Sequence, residues 1–352
     1  MHASRIPNGE RNSEPISSRW TWSVAIFASR ERVIDLLETV SAAFAAAVVP
    51  TVIDVLVNGN DALANELEKR LVLALPRSNR VHVRVWELAL PDKANAWNQY
   101  LHNICVPTAL TFFLDGHCRV NEAGFQALAE GLQKSPMALA GSGVPSVGRT
   151  AQKWRAELLL NGGMVGGFLA LKGETVRTLQ QRQFRLPLGL YGFDGLLGAA
   201  FAFGLDPRQN SWQLKERIHV NAGATWLTTP KKWWRLSDLS AQFKRKQRIA
   251  LRVLVGQATQ DFFEKRRLLP EDLPHTTQEF VLNWAKQQPE AAQALVRSRP
   301  LCRLALRKLG RIQDWAAAED APKLIQSTRP SNIFRHDPRN VTALRLAPGE
   351  AP

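Results

Sequence analysis

Cysteine is scarce. Three occur in 352 residues, Cys105, Cys118 and Cys302, and no CxxC pair is among them. A disulfide framework is excluded, and reduced thiols in a cytoplasm-like compartment are the expectation. Long apolar runs are missing too. A membrane-spanning helix needs about 18 uncharged apolar residues; the nearest candidate, Val40 to Val49, is too short and stops at Pro50. The first residues, MHASRIPNGERNSEP, are polar and hold no apolar signal core. Two phosphate-binding signatures are also absent. The turn after the first apolar run reads Ala28-Ser29-Arg30-Glu31, without GxGxxG, and no GxxxxGK[ST] occurs. A nucleotide, if bound, must be held another way. Acidic residues are outnumbered, 31 against 46 basic ones, so the formal charge is +15. An anionic partner is expected: nucleotide, phospholipid or nucleic acid.

What is present is ordinary globular composition, 45% hydrophobic and 22% charged. It allows one large domain, or one domain with an appendage. Residues 1–18 read as disordered. Strands are expected at Trp22–Ala28, Thr51–Val57, Val81–Glu87 and Ala109–Leu114. Helices fall between them: one with apolar positions Val33, Leu36, Leu37, Val40 and Phe44, one over Ala62–Leu73 capped by Asp61, and one over Lys93–Asn103. Strand alternating with helix argues for a parallel sheet with right-handed crossovers. Further on, a helix over Glu122–Leu132, a short strand at Met137–Ala140, a flexible loop over Gly141–Thr150, a strand at Phe168–Leu171 and a helix over Glu174–Gln183 are expected. An apolar helix opens at Tyr191-Gly192-Phe193-Asp194 and runs through Phe203. A strand-like piece at Lys215–Trp226 carries His219. From about residue 236 to 325 the chain reads as helical and basic, and from 326 as a loose tail.

The densest chemistry is at Asp115-Gly116-His117, which ends the fourth strand. In an open α/β sheet, ligands bind beyond the carboxyl ends of the strands. An Asp and a His straddling a glycine there can turn a carboxylate oxygen and an imidazole nitrogen toward one point. That pair suits a divalent cation such as Mn²⁺. The bland reading is a turn with a capping Asp and a solvated His. Asn161-Gly162-Gly163 and Gly166-Gly167 permit close backbone approach to a ligand, or form a bulged hairpin. Asp194 alone is most simply a helix N-cap.

In their order along residues 20–250, these motifs resemble the family 2-like glycosyltransferases of the GT-A fold. Arg30-Glu31 looks like the family's turn after the opening strand. Val57-Asn58-Gly59-Asn60-Asp61 stands where the family has V-D-D-G-S, with both family aspartates replaced. Asp92-Lys93-Ala94-Asn95-Ala96-Trp97-Asn98 looks like G-K-A-A-A-L-N, matching at Lys93 and Asn98. Asp115-Gly116-His117 stands at the D-x-D metal motif, in a D-x-H form similar to the polypeptide N-acetylgalactosaminyltransferases. Gly162-Gly163 to Leu171 is similar to the G-G-x-x-A-[LI] strand, and Tyr191-Gly192-Phe193-Asp194 stands at the E-D pair.

The resemblance implies a GT-A domain over 19–235: a mixed, mainly parallel α/β sheet flanked by helices, with a basic helical extension over 236–325 and a tail over 326–352. It implies Asp194 as catalytic base and Mn²⁺ or Mg²⁺ on Asp115 and His117, with His219 at the spacing of a third ligand. It implies a nucleotide-diphosphate sugar held by Arg30, Glu31, Asn58, Lys93, Asn98, Gly116, Gly162 and Gly163, with Arg149 as a lid residue. The reaction would be transfer to a hydroxyl acceptor, with inversion, in glycan or glycolipid synthesis. The basic helices are a solvated face or fit an anionic membrane surface or a lipid-linked acceptor; with the reduced thiols, the expectation is a cytoplasmic chain, with peripheral docking on the inner face of a membrane as an option. No nucleic-acid module is recognisable, so a nucleic-acid partner is not expected. The alternative is a non-catalytic GT-A-like domain acting as a scaffold through those helices.

Overall fold

The computed structural model describes residues 20–148, 151–228, 236–310 and 313–328, and over 236–245 the backbone alone. The expected N-terminal disorder, Arg149 and the tail beyond residue 328 lie outside the described residues.

The chain opens with β1 (Trp22–Ala28), α1 (Val33–Ala46), β2 (Thr51–Asn58), α2 (Asp61–Ala74), β3 (Val81–Leu88), α3 (Lys93–Gln99) and β4 (Leu110–Asp115). Each of β1 and β2 is buried along its whole length. Both faces of these strands are covered, as parallel sheets require. On β1, Trp22, Val24, Ile26 and Ala28 face α1 and α2, while Ala25 and Phe27 face the opposite core. The order β3-β2-β1-β4 is parallel throughout, as the alternation of strands and helices predicts. Asn60, not Asp61, caps α2: its side chain accepts the Leu63 N–H at 3.0 Å, and its amide donates to the Ser29 carbonyl at 2.7 Å. The helix expected to reach Asn103 stays α-helical only to Gln99 and closes in a π turn, Tyr100–Ile104.

The second half turns mixed. It runs β5 (Cys118–Val120), α4 (Gly124–Gln133), β6 (Ala140–Pro145), α5 (Ala151–Asn161), β7 (Phe168–Lys172), α6 (Gly173–Gln181), α7 (Phe193–Ala202), α8 (Leu214–Arg217) and β8 (Ile218–Thr228). β7 lies antiparallel between β4 and β6, β8 runs parallel to β6, and β5 is antiparallel on β8. Gly141–Pro145, expected as loop, is therefore strand, and α5 fills a stretch where no element was expected. The C-terminal part supplies α9 (Leu236–Gln260), α10 (Thr277–Gln287), α11 (Pro289–Ser298), α12 (Pro300–Leu309) and β9 (Lys323–Ser327). β9 pairs antiparallel with β3 and completes a nine-stranded sheet, β5-β8-β6-β7-β4-β1-β2-β3-β9. The C-terminal helices are not a detached appendage. Leu254, Phe263, Phe280 and Trp284 share one core with Phe27, Phe113, Trp97 and Leu197.

Candidate functional site

The parallel half of the sheet leaves the carboxyl ends of β1, β2 and β4 on one edge, where the α/β rule places ligands. Asp115 is the last residue of β4. The next residue, Gly116, donates its N–H to the Phe27 carbonyl at 2.8 Å, and its own carbonyl accepts the Thr39 hydroxyl at 3.0 Å. A Cβ at Gly116 would stand 2.9 Å from the Phe27 carbonyl oxygen, so β1 itself demands glycine here. Asp115 and His117 are thus aimed from a turn locked to β1 and α1.

Lys93 opens α3, whose N-cap Asp92 accepts the Asn95 N–H at 2.7 Å and the Gly189 N–H at 3.1 Å. The cap is a local signal; the Gly189 contact is tertiary. The Lys93 ammonium pairs with the Asp115 carboxylate. It also lies 4.7 Å from the Phe193 ring centre and 5.7 Å from that of Phe27, within cation–π range. Glu31 stands behind His117: the two approach to 3.4 Å, carboxylate oxygen to Nδ1. The other Glu31 oxygen accepts the backbone N–H groups of Ser29 and Arg30 at 2.7 and 2.9 Å. Burial alone would raise the Glu31 pKa, but His117 and these backbone donors outweigh it and hold the carboxyl at about 2. With Nδ1 turned to Glu31, Nε2 is the ring nitrogen left to bind a cation.

Ligand atoms of Asp115, His117 and Cys118 lie within 4.8 Å of one another. Burial pushes the Cys118 thiol well above its ordinary range, and Cys118 is buried while Asp115 is half-buried and His117 exposed. The donors that face solvent are a carboxylate oxygen and an imidazole nitrogen. That set fits Mn²⁺ or Mg²⁺, with water or phosphate oxygens completing the shell.

Gly166 and Gly167 enter β7 between two carboxylates. The Gly167 carbonyl accepts the Asp115 N–H at 3.4 Å, and a Cβ on Gly166 would stand 3.8 Å from Asp194 Cγ. Trp226 packs on Gly167 so closely that a Cβ there would meet the indole at 2.8 Å. Asp194 lies in the first turn of α7 but is not its N-cap. Gly192 holds that position, at φ +78°, and no side chain caps the helix. Instead Arg252 of α9 donates to Asp194 Oδ1 at 2.6 Å.

Asp115, His117, Glu31, Lys93, Gly116 and Asp194 are therefore brought to one edge. Other expected site residues are not. His219 is the clearest correction. It lies at the start of β8, its Nδ1 3.1 Å from the Ser135 hydroxyl and its ring against Gly131. The far end of β8, at Thr228, pairs with Cys118. β8 bulges between Val220 and Thr225, where five of its residues pass two of β6; measured along β6 and on to Thr228, at about 3.3 Å per residue, roughly 20 Å of sheet separates His219 from the metal-ligand candidates. Asn98 is a second correction: its amide is consumed by the Leu186 backbone, accepting at 2.8 Å and donating at 2.9 Å. Gly162 and Gly163 are a third. They close α5, Gly162 donating to the Leu158 carbonyl, while the glycines beside Asp115 are Gly166 and Gly167. Asn58 is buried at the end of β2, and Arg30 is exposed on the turn above it. Arg252 was missed as a site residue. In sequence it is one basic residue among many on its helix, and only the packing of α9 on α7 singles it out.

No protein-family model matches this chain, and no curated protein matches it. Among solved structures it is similar to the mannosyltransferase PcManGT from Pyrobaculum calidifontis in complex with GDP-Man and Mn²⁺. The identity is 13% over 83% of this chain and 85% of that one, with a TM-score of 0.48. It is also similar to glucosyl-3-phosphoglycerate synthase from Mycobacterium tuberculosis. In complex with phosphoglyceric acid, that enzyme is 18% identical over 66% of this chain and 78% of its own, with a TM-score of 0.43. With Mn²⁺, uridine-diphosphate and glucosyl-3-phosphoglycerate the figures are 17%, 66%, 78% and 0.41. These likenesses concern the path of the chain and say nothing of single side chains.

Proposed function

We propose that this chain is a metal-dependent glycosyltransferase of the GT-A type. It moves a sugar from a nucleotide-diphosphate sugar to a hydroxyl acceptor, with inversion, in glycan or glycolipid synthesis. One observation carries the reading: Asp115 and His117 from the turn that ends β4, Lys93 from α3 and Asp194 from α7 reach a single sheet edge, with the Gly166–Gly167 backbone running between the two carboxylates. Asp115 and His117 would hold Mn²⁺ or Mg²⁺, which supplies Lewis-acid stabilisation of a leaving diphosphate. Glu31 orients His117. Lys93 carries a positive charge to the phosphates. Arg252 fixes one oxygen of Asp194, leaving the other to take the acceptor hydroxyl's proton. The acceptor oxygen then bonds to the anomeric carbon as the bond to the diphosphate breaks, its electron pair going to the phosphate oxygen.

The test is Asp115→Ala. Turnover of a sugar donor and the Mn²⁺-dependent thermal shift with a nucleoside diphosphate should both vanish, with little change in melting. Full turnover in that variant would sink the metal-site assignment. The scaffold reading has one observation of its own: both carboxylates are engaged by cations, Asp115 by Lys93 and Asp194 by Arg252. It predicts no thermal shift with any nucleoside diphosphate, with or without Mn²⁺.

No helix among the described residues is long and apolar enough to cross a membrane. Exposed Arg297, Arg299, Arg303, Arg307 and Lys308 give α11 and α12 a basic face. It supports docking on an anionic leaflet from the cytoplasmic side, each charge adding about 1 kcal/mol.

A further inference from the structure

Lys93 and a divalent cation make competing demands on one carboxylate. The Lys93 ammonium donates to Asp115 Oδ1, and the two side chains are only 33% and 25% exposed. The same ammonium lies over two rings, 4.7 Å from the centre of Phe193 and 5.7 Å from that of Phe27. Both phenylalanines are buried. One carboxylate and two aromatic faces make a cage for a single positive charge. The local sequence does not hold Lys93 there. It is the first residue of α3, at the positive end of the helix dipole, where a cation is disfavoured. What holds it is tertiary: β1 supplies Phe27, β4 supplies Asp115 and α7 supplies Phe193. Asp115 is also one of the metal-ligand candidates, its oxygen within 4.8 Å of a His117 ring nitrogen. Glu31 adds no free charge, because it is engaged by His117 and by the Ser29 and Arg30 N–H groups.

We infer that Lys93 makes metal binding conditional. It occupies Asp115 as the resident cation, disfavours a divalent ion that arrives alone, and gives the carboxylate up when a diphosphate brings oxygens to receive the ammonium. The inference rests on the glycosyltransferase reading above. Charge balance supplies the reason. Asp115 brings a single negative charge, and Lys93 already cancels it. A divalent ion on the same carboxylate would face an ammonium beside it, and like charges that close repel. A diphosphate adds enough negative charge for both cations, so each then has an oxygen partner. The four-carbon stem of a lysine lets the ammonium move between the two. Lys93 is thus a determinant of specificity: the site selects the metal and the diphosphate as a pair.

The full-length protein should be titrated with Mn²⁺ alone by calorimetry, as wild type, Lys93→Met and Lys93→Arg. Methionine keeps a long apolar side chain between Phe27 and Phe193 and removes the charge; arginine keeps the charge. Lys93→Met should bind Mn²⁺ at least about tenfold tighter than wild type, while Lys93→Arg stays weak. A lysine with a merely structural role would not produce that pattern, and melting curves check that all three proteins are folded. Uridine diphosphate, titrated without metal and again at saturating Mn²⁺, is the second readout. Without metal, the ammonium stays on Asp115 and Lys93→Met should change the affinity little. With Mn²⁺, the same variant should bind the diphosphate at least about tenfold more weakly. The inference is overturned if Lys93→Met binds Mn²⁺ no tighter than wild type, if Lys93→Arg binds it as tightly as Lys93→Met, or if the lysine contributes equally to diphosphate binding with and without Mn²⁺. Wild-type binding of Mn²⁺ with the diphosphate, but no gain for Mn²⁺ alone in Lys93→Met, removes this inference and keeps the glycosyltransferase reading. No Mn²⁺ binding by any of the three, with or without the diphosphate, removes both.

Discussion

Replacing Asn98 tests whether a residue that matches a nucleotide-binding motif is structural here. Asn98 is 4% exposed, and its amide spans both backbone groups of Leu186, itself 1% exposed. Asn98→Ala leaves a buried N–H and a buried carbonyl unpaired. At about 1–3 kcal/mol for each stranded group, the loss should be about 2–6 kcal/mol. Asn98→Asp is the more telling variant. Its carboxyl can still accept from the Leu186 N–H, but it faces the Leu186 carbonyl with an oxygen and must be protonated to donate there. Burial and that carbonyl both favour the neutral acid, so the folded pKa is raised above the unfolded value of about 3.9. A raised carboxyl pKa gives stability that is fully present below the unfolded value and is lost as pH climbs from there through the folded value. The Asp variant should therefore approach wild-type stability near pH 3 and fall away above pH 5. Urea denaturation followed by tryptophan fluorescence, at several pH values, measures this. A variant within about 0.5 kcal/mol of wild type that had nonetheless lost nucleotide binding would refute the reasoning.

The Glu31 carboxyl, held at about 2 against an ordinary 4.5, contributes stability that is complete above pH 4.5 and disappears as pH falls through 2. That difference is worth about 3 kcal/mol, so Glu31→Gln should flatten the acid limb of a stability–pH curve. An unchanged limb would place the stabilisation elsewhere. His219→Ala should leave Mn²⁺ affinity, measured by calorimetry, unchanged; a large loss would return His219 to the metal site. Burial lowers the His219 pKa below 6.5. Its neutral form is thus favoured in the fold, and stability should decline as pH drops below about 6.5, less steeply in the variant.

Much of the site's frame is legible one segment at a time. β1 to β4 alternate with helices because each segment carries its own apolar period, and the parallel order follows from the alternation. The glycine in Asp115-Gly116-His117 is readable as a turn, and its neighbour Lys93 as a helix opening. The mixed half is harder to read. β6 was expected as a loop because Gly141, Ser142 and Gly143 have weak strand character; they pair because β7 and β8 flank them. α5 shows no buried stripe, only Ala151 being buried, so no helical period announces it.

By itself, the sequence determined the parallel half-sheet, the strand-end turn that presents Asp115 and His117, and the basic character of the C-terminal helices. These depend on local patterns: apolar period, glycine turns and charge. Only the tertiary structure decided which distant groups meet. It set Arg252 on Asp194 and Lys93 on Asp115, turned Glu31 to His117, and spent Asn98 on Leu186. It carried His219 to the wrong end of its strand, although its spacing from Asp194 had pointed to the metal site. Spacing along a chain gives contour length. Where a side chain ends up depends on the direction in which its strand crosses the sheet, and that is settled by the packing of every other strand and helix against it.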